Sequence, residues 1–253
     1  MVEEPGRGRD ERRVVGDEHA QVLALALEPA WQERLRDEVR VGFVDVLGPD
    51  PAEAISGIRG TDPVRVVPAF LASGYHVHSD LPRYLHQTPR PTLLSAPLGP
   101  DAALADAMVA RLLVAGWQPG DEVVMAAAGS RDLRAQGDVA AMGRLLSQRV
   151  GAPVRIGFVI PAVDGSGYPP VADVVAAARA QSRPGSRVAV AAYLLADGLF
   201  ARRLHDVGAD IVAAPLGLHR GVVELACRRA ESAVMSPDPL SQPGSHRSVV
   251  PAR

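Results

Sequence analysis

Cysteine, aromatic residues and long apolar runs are all scarce in this chain of 253 residues. The single cysteine, Cys227, excludes an internal disulfide, and its apolar-periodic surroundings favour a packed thiol over a reactive one. No apolar run approaches the length of a membrane span, and no signal peptide opens the chain. A net charge of −2 gives no general attraction to nucleic acid. We therefore expect a cytoplasmic protein, monomeric or homodimeric, with no membrane or nucleic-acid partner.

The chain also lacks the motifs of several familiar site classes. No group of Cys and His residues has the spacing of a structural zinc site or an iron–sulfur cluster. The turn Gly129-Ser130-Arg131-Asp132 has neither the G-K-[ST] ending of a phosphate-binding loop nor the pattern of a dinucleotide fingerprint. No G-x-S-x-G nucleophile motif occurs. The sequence therefore predicts no nucleotide cofactor and no serine-hydrolase chemistry.

What the chain does contain is a regular alternation of strand-like and helix-like segments. The predicted strands are 39–47, 64–71, 91–98, 121–128, 154–161, 187–195 and 210–216. The predicted helices are about 19–37, 49–58, 82–87, 101–115, 135–150, 171–181, 200–207 and 221–234. Such alternation is typical of α/β proteins, in which parallel sheets are wound from βαβ units and flanked by helices. Residues 1–18 are expected to be a flexible arm and residues 236–253 a disordered tail.

The order of elements occurs twice, and short matches recur in the same order in both halves. The matched segments are Gly42–Val44 with Gly157–Val159, Val66–Gly74 with Val190–Gly198, and Ser95–Gly99 with Ala213–Gly217. The repeat predicts two similar α/β lobes, residues 19–117 and 118–235, that face each other across a cleft. The first lobe lacks a counterpart of strand 121–128, and Phe200 stands where the first half has His76.

The densest group of metal-competent side chains follows the second predicted strand of the first half. After the apolar run from Val64 and the turn at Gly74 come His76, His78 and Asp80. In open α/β sheets ligands bind at the carboxyl ends of strands, and neutral imidazole is a common ligand for late first-row metals. His78 shares the strand parity of His76 if the chain stays extended, and a solvated side chain is the alternative. Asp80 is expected to cap the helix that follows.

Further positions are candidates, each with a plainer alternative. Asp45 ends a buried strand and either faces the cleft or hydrogen-bonds a loop. Tyr75 either lines a ligand pocket or packs against the protein. Amides exposed after Gly129 and Ser130 suit an anion at a helix start, but a structural turn explains them equally well. Basic side chains that either meet an acidic ligand or are simply solvated are Arg83, Arg90, Arg202, Arg203, His219 and Arg220.

These segments resemble the sirohydrochlorin chelatase family, the class II cobalto- and ferrochelatases of the cobalamin and siroheme pathways, in its long two-lobe form. The family carries G-x-H after a central strand, followed by D-[IL]-P, and Gly74–Pro82 matches that pattern closely. It also opens each active lobe with a strand and the turn A-H-G-S-R-D. Ala128–Asp132 matches this turn except that alanine replaces the histidine, and in the first half Gly6 would hold the histidine's place.

The resemblance implies a lyase, a metal chelatase that inserts Co²⁺, Fe²⁺ or Ni²⁺ as a substrate into a tetrapyrrole and consumes no nucleotide. By this match His76 binds the metal and accepts pyrrole protons. Together with the candidates above, the expected helpers are Asp45 for catalysis, His78 for the metal, and Tyr75, Gly129 and Ser130 for the tetrapyrrole.

The missing first histidine leaves two explanations open. Either the start of the sequence is truncated, or the protein is a degenerate relative that binds a tetrapyrrole or a metal without catalysis. A third hypothesis is a periplasmic-binding-like or regulatory α/β protein that shares only the architecture, although the absent signal peptide counts against export.

Overall fold

The computed structural model describes residues 38–44, 48–162 and 164–235, and within these ranges the chain forms two β-sheets flanked by helices. The strands are β1 (Val64–Val66), β2 (Thr92–Leu94), β3 (Glu122–Ala127), β4 (Val154–Phe158), β5 (Val188–Tyr193), β6 (Ile211–Val212) and β7 (Val234–Met235). The helices are α1 (Pro51–Gly57), α2 (Leu81–Leu85), α3 (Ala102–Val114), α4 (Leu133–Val150), α5 (Val171–Gln181), α6 (Leu199–Arg203) and α7 (Arg220–Glu231). A π-helical turn, His76–Asp80, precedes α2, and a 3-10 turn, Leu204–Asp206, follows α6.

The larger sheet has four parallel strands in the order β4-β3-β5-β6. Nearly every residue of β3 and β5 is buried, as expected for parallel strands with both faces covered. Helices α3, α4 and α7 supply the apolar side chains on one face, and α5 and α6 supply those on the other. The predicted α/β class is therefore confirmed.

The smaller sheet has the order β1-β2-β7, with β1 and β2 parallel and β7 antiparallel to β2. None of the helices in the described part of the chain is both long and apolar enough to cross a membrane. Cys227 is buried, which confirms the predicted packed thiol. Asp101 caps α3 by accepting a hydrogen bond from the Ala103 N–H, which confirms the predicted start of that helix.

Two predicted elements differ from those observed. Residues 39–44 form no strand, and residues 45–47 of the same prediction lie outside the described ranges. Their counterpart β4 is held in its sheet by β3, and the described residues of the first half include no counterpart of β3. The predicted helix 221–234 ends at Glu231, and Val234–Met235 instead pairs with β2. Two residues are too few to show strand periodicity, so this pairing had no signal in the sequence.

The internal repeat is present in the backbone pairing of the two sheets. Val66 lies opposite Leu94 in the first sheet, and their counterparts Val190 and Val212 lie opposite each other in the second. Both pairs belong to parallel ladders between consecutive strands of one half. Register depends on side-chain parity, so the same register in both halves means that the same faces are buried.

Two glycines show the same equivalence in packing. A Cβ at Gly42 would lie 2.9 Å from the Pro51 Cα, at the start of α1. A Cβ at Gly157 would lie 2.8 Å from the Val171 Cα, at the start of α5. In each half, therefore, the backbone of one segment touches the first residue of the following helix, and only glycine leaves room for this approach.

The halves exchange their last helices through two arginines. Arg229 on α7 donates from Nε to the Pro97 carbonyl oxygen at 2.9 Å, in the turn after β2. Arg111 on α3 donates from Nη2 to the Leu216 carbonyl oxygen at 3.0 Å, in the turn after β6. Arg111 and Arg229 are 118 residues apart, the same separation as Pro97 and Pro215. Each half thus sends a helix to the equivalent turn of the other, and one core cluster contains residues from both sides of residue 117. The predicted division into two lobes near that residue stays a prediction.

We expect Gly157→Ala and Gly42→Ala each to lower the free energy of unfolding by about 1–3 kcal/mol, because the added methyl meets helix backbone rather than a movable side chain. The matched control is Gly137→Ala on α4, where an added Cβ meets nothing within 4 Å. That change should stabilise the helix by about 0.5–1 kcal/mol. Urea unfolding of the three variants checks this, and a neutral Gly42 variant beside a destabilised Gly157 variant would contradict the equivalence.

Asp210 holds the starts of β5 and β6 together. Its Oδ2 accepts hydrogen bonds from the Val188 N–H at 2.7 Å and from Arg179 Nη2 at 2.9 Å. The Val188 N–H holds the pKa of Asp210 below its usual range, partial burial opposes this, and Arg179 adds to the lowering. A carboxyl whose folded pKa is depressed stabilises the fold above its unfolded pKa of about 3.9, and this contribution is lost as the pH falls through the folded value.

We therefore expect Asp210→Asn to lower the free energy of unfolding by about 1 kcal/mol at pH 7. The asparagine oxygen can still accept the Val188 N–H, so the loss reflects the charge. The difference from wild type should shrink toward zero as the pH is lowered from 7 to below about 4. Urea unfolding over this range measures it, and a difference that does not change with pH would rule out the charge as its source.

Candidate active site

The chain beyond β1 carries His76 to the end of the first sheet. The ladder with β2 ends at Val66, and the following residues run without regular structure to Gly74. The Gly74 carbonyl oxygen accepts a hydrogen bond from the Val77 N–H at 3.0 Å, which begins the helical turn that contains His76. His76 therefore lies beyond the carboxyl end of a parallel strand, where α/β proteins bind ligands.

One face of this helical segment is buried and the other is exposed. Leu81 and Leu85, four residues apart, pack with Ile55 and Val64 in a small core of the first half. His76 lies on the exposed side of the segment, and half of its side-chain surface, 50%, is accessible to solvent. The apolar face thus anchors the segment and leaves the imidazole at the surface.

A carboxylate lies against one nitrogen of the imidazole. His76 Nδ1 lies 2.8 Å from Asp80 Oδ2, and the Asp80 side chain is only 14% exposed. An ionised carboxylate only accepts hydrogen bonds, so Nδ1 carries the proton and Nε2 of the neutral ring keeps its lone pair. Arg83 Nη2 lies 3.6 Å from the other oxygen, Asp80 Oδ1. This arrangement leaves Nε2 able to bind a metal or to accept a proton.

The expected cap by Asp80 was wrong, and the extended chain on which the pairing of His78 with His76 depended is not observed, because residues 76–80 are helical. His78 is exposed, as its alternative had it. Asp80 makes no capping hydrogen bond to α2, since its carboxylate contacts the imidazole four residues earlier. The shared strand parity of His76 and His78 does not apply, because residues two apart on a helix lie on nearly opposite sides of it. The role of His78 as a metal ligand stays a prediction without that geometric support.

Two aromatic rings surround the His76 imidazole. The Phe70 ring is nearly parallel to it, at 14°, with ring centroids 6.1 Å apart. The Tyr75 ring is edge-on, at 77°, with centroids 6.3 Å apart. Tyr75 is 64% exposed, and its expected place in a ligand pocket stays a prediction.

The second half of the chain contacts the turn that precedes His76. The Ser73 N–H donates a hydrogen bond to Asp138 Oδ2 on α4 at 2.7 Å. A Cβ built on Gly74 would lie 3.7 Å from the Ala135 Cβ, in the first turn of α4. The turn before His76 therefore lies beside the helix that follows β3, close to the Gly129–Ser130 turn.

The Gly129–Ser130 turn is largely occupied with its own hydrogen bonds. Gly129 has a φ of +123°, and a Cβ there would overlap the Ile160 carbonyl oxygen. Ser130 Oγ accepts a hydrogen bond from the Asp132 N–H at 3.1 Å, and Asp132 in turn caps α4 by accepting the Arg134 N–H at 2.8 Å. These contacts support the alternative that the segment is a structural turn. Contact of Gly129 and Ser130 with a ligand stays a prediction.

Large apolar side chains are exposed in the segments that follow the parallel strands. They are Tyr75 after β1, Leu133 after β3, Ile160 after β4, Phe200 after β5 and Leu218 after β6, which are exposed by 64%, 79%, 41%, 39% and 48%. The four that follow β3, β4, β5 and β6 belong to the carboxyl edge of the four-stranded sheet. Tyr75 is next to Gly74, which lies beside Ala135 in the first turn of α4, close in sequence to Leu133. We call these five residues the apolar rim. Exposed apolar groups gathered in one region mark a binding surface rather than a core.

Three of the six basic candidates have partners within the protein that the following contacts describe. Arg90 Nε and Nη1 donate to the carbonyl oxygens of Asp62 and Ile58 at 2.7 and 2.8 Å. His219 Nδ1 accepts a hydrogen bond from the backbone at the start of α7 at 3.1 Å. Arg220 pairs with a glutamate one turn further along the same helix at 2.7 Å. These three side chains therefore make contacts within the fold. None of these contacts supports the expectation that they bind an acidic ligand.

Asp45 lies outside the described residues, so its part in the site stays a prediction. Within residues 38–44, 48–162 and 164–235, no three His, Cys, Asp or Glu side chains come together as a metal-binding group. A metal held by His76 Nε2 would complete its coordination from solvent, from a substrate or from residues beyond those ranges.

The sequence did not indicate which residues contact the His76 imidazole or the turn that precedes it. The partnership of Asp80 with His76 had a usable signal, because the two are four residues apart and that spacing brings side chains together on a helix. Asp138 had none, since a single aspartate within a helical pattern is normally taken for a solvated side chain. Phe70 was counted only as part of an apolar run.

Comparison with known proteins agrees with this architecture. The family model described as CbiX matches residues 15–115. The chain is 35% identical over 88 aligned residues to the sirohydrochlorin cobaltochelatase of Methanosarcina barkeri, an alignment that covers 29% of this chain and 68% of that protein.

Solved structures share the fold over nearly the whole chain. SirB from Bacillus subtilis with Fe³⁺ superposes with a TM-score of 0.66 at 19% identity, covering 90% of this chain and 91% of that one. The sirohydrochlorin chelatase SirB from Bacillus subtilis subspecies spizizenii in complex with cobalt gives a TM-score of 0.64 at 18% identity, with the same coverage of 90% and 91%.

The matched family model, the identity to a curated relative over two thirds of its length, and the G-x-H and D-L-P segment around the His76–Asp80 pair all agree. The chain belongs to the sirohydrochlorin chelatase family.

Proposed function

We propose that this protein is a cytoplasmic metal chelatase, a lyase that inserts a divalent metal into sirohydrochlorin or a closely related acidic tetrapyrrole. The observation that carries the proposal is the His76 imidazole, with Nδ1 against Asp80 and Nε2 directed away from that carboxylate, at the carboxyl end of a parallel strand. Family membership and the relatives named above support the same reaction.

The reaction needs a group that can hold a cation and take up protons. Insertion replaces two pyrrole N–H protons with one divalent metal ion, so charge balances and no electron is transferred. A neutral imidazole nitrogen performs either task near pH 7, and a partner that fixes the ring's other nitrogen keeps it in the useful tautomer. His76 would present the metal through Nε2 and, once that nitrogen has given up the metal to the macrocycle, accept one of the two released protons there, while the other passes to solvent. Asp80 would orient the ring and stabilise the protonated form.

The apolar rim supports a flat, apolar ligand beside that imidazole. A macrocycle has two broad faces, and contact with side chains such as Tyr75 and Phe200 would remove those faces from water. The turn at Gly74 lies beside the first turn of α4, so a ligand next to His76 would also be near the turn that contains Gly129 and Ser130.

Co²⁺ and Fe²⁺ are the proposed metal substrates, with Ni²⁺ as a further possibility from the same ligand chemistry. Imidazole suits this series of late first-row ions and does not by itself choose among them. The SirB structures named above contain Fe³⁺ in one case and cobalt in the other, which supports both ions as candidates. Asp45 and His78 are the proposed additional ligands or bases.

We expect His76→Ala to lower the rate of Co²⁺ insertion into sirohydrochlorin by at least about 100-fold, because the change removes both the ligand and the base. The rate is measured anaerobically from the change in absorbance of the tetrapyrrole. His86→Ala is the matched control, since His86 is an exposed histidine at the end of α2 and should leave the rate unchanged. Equal rates for wild type and the His76 variant would remove His76 from the mechanism. A wild-type protein that binds sirohydrochlorin without inserting metal would instead indicate the non-catalytic alternative.

We expect Asp80→Ala to lower the same rate by about 10- to 100-fold, because the imidazole loses the partner that fixes its tautomer. Asp80→Asn should fall between this variant and wild type, because an amide oxygen still accepts the Nδ1–H. Nitrogen-15 chemical shifts of the His76 ring give an independent measurement, with protonated Nδ1 expected in wild type and a mixture of tautomers in Asp80→Ala. An unchanged tautomer in Asp80→Ala would be inconsistent with an orienting role.

A further inference from the structure

The backbone that carries His76 is held largely from outside its own sheet. After Val66 the ladder of the first sheet ends, and the following segment reaches Gly74 without strand partners among the described residues. Within the first half, the Gly99 N–H donates to the Phe70 carbonyl oxygen at 3.1 Å, and the Gly74 N–H closes a local turn. Such a segment, with few ladder bonds, would by itself open easily.

Two side chains of the second half add to this support. Tyr193 donates its hydroxyl proton to the Leu71 carbonyl oxygen at 2.6 Å. Asp138 Oδ2 accepts the Ser73 N–H at 2.7 Å. The two contacts fix alternate residues just before Gly74, and both link residues more than 60 positions apart in the chain.

Both partners are themselves rigidly placed. Tyr193 is the last residue of β5 and is only 2% exposed. Burial raises the pKa of Tyr193 above its usual range, so its hydroxyl remains a neutral donor at physiological pH. Asp138 lies in the second turn of α4, an 18-residue helix that packs on the four-stranded sheet. A contact from such elements limits where the segment can move.

The same support is not repeated at the equivalent place in the other half. Counting by the repeat that relates His76 to Phe200, the position of Tyr193 corresponds to Ala69, which has no hydroxyl. Phe200, in the position of His76, has no metal-binding atom. The supporting groups therefore lie in the second half, whereas the imidazole lies in the first.

We infer that Asp138 is a positioning residue of the chelatase site: from the second half it holds the Ser73–Gly74 turn, and thereby the His76 imidazole, in the one orientation that binds metal. The inference rests on the proposed role of His76, and Tyr193 acts with Asp138 from the same side. Without the contact the turn samples other conformations, and the apparent metal affinity falls by the fraction of time that the competent one is populated.

The test compares Asp138→Ala with Asp138→Asn in the full-length protein, with Co²⁺ alone as the probe. Both variants lose the negative charge, but only asparagine keeps an oxygen that can accept the Ser73 N–H. Asp138→Ala is expected to weaken Co²⁺ binding, followed through the His76 ring resonances, by roughly tenfold, and Asp138→Asn by less than about twofold. Tyr193→Phe, which removes only the hydroxyl, should weaken binding in the same direction.

Wild-type Co²⁺ affinity in Asp138→Ala would overturn the inference, because the Ser73–Gly74 turn would then keep its conformation without the Asp138 hydrogen bond. Equal losses in the alanine and asparagine variants would also overturn it, because the charge and not the hydrogen bond would be responsible. If His76→Ala binds Co²⁺ as wild type does, the proposed function fails separately. The positioning contact then still has its own measurement: hydrogen exchange of the Ser73 amide should be about tenfold faster in Asp138→Ala and unchanged in Asp138→Asn.

Discussion

The exchange of α3 and α7 between the two halves fixes where the rest of the molecule lies. Arg111 and Arg229 each reach a carbonyl oxygen in the turn that follows the last parallel strand of the opposite half. Guanidinium donors match such oxygens well, and a partly buried carbonyl left without a donor would be costly. In the molecule linked in this way, Gly74, in the segment after β1, lies beside Ala135 in the first turn of α4. The candidate site therefore belongs to the junction of the halves and to neither alone.

Much of this fold was accessible from the sequence because parallel strands and their helices leave periodic patterns. The helices α3, α4 and α5 begin and end close to their predicted bounds, since capping aspartates and glycines mark the ends of the first two. The strands of the first half were predicted too long, because an apolar run continues past the point where its ladder partner stops. The pairing of β7 with β2 joins residues about 140 apart and depends on the completed tertiary structure, so no local pattern could indicate it.

The sequence was enough to predict the metal-binding imidazole of the site, but not the neighbouring residues that hold it in place. His76 was identified from its place after a strand and a glycine, and the structure puts it at the surface beyond that strand. Its companions were assigned on the assumption of an extended chain, whereas Gly74 initiates a helical turn that brings Asp80 to the imidazole and turns His78 away from it. The contacts from Tyr193 and Asp138 cross between halves, and a pattern within one stretch of sequence carries no information about such contacts.

The replacement of His76 by Phe200 in the second half has a geometric consequence. The two halves repeat the same order of elements, but these equivalent positions are chemically unlike, one with an imidazole and the other with a benzyl ring. A disc-shaped guest that met both residues, one at each face, would be in two different environments. Its two faces would cease to be interchangeable, so a guest with unequal substituents around its edge would dock with a defined handedness.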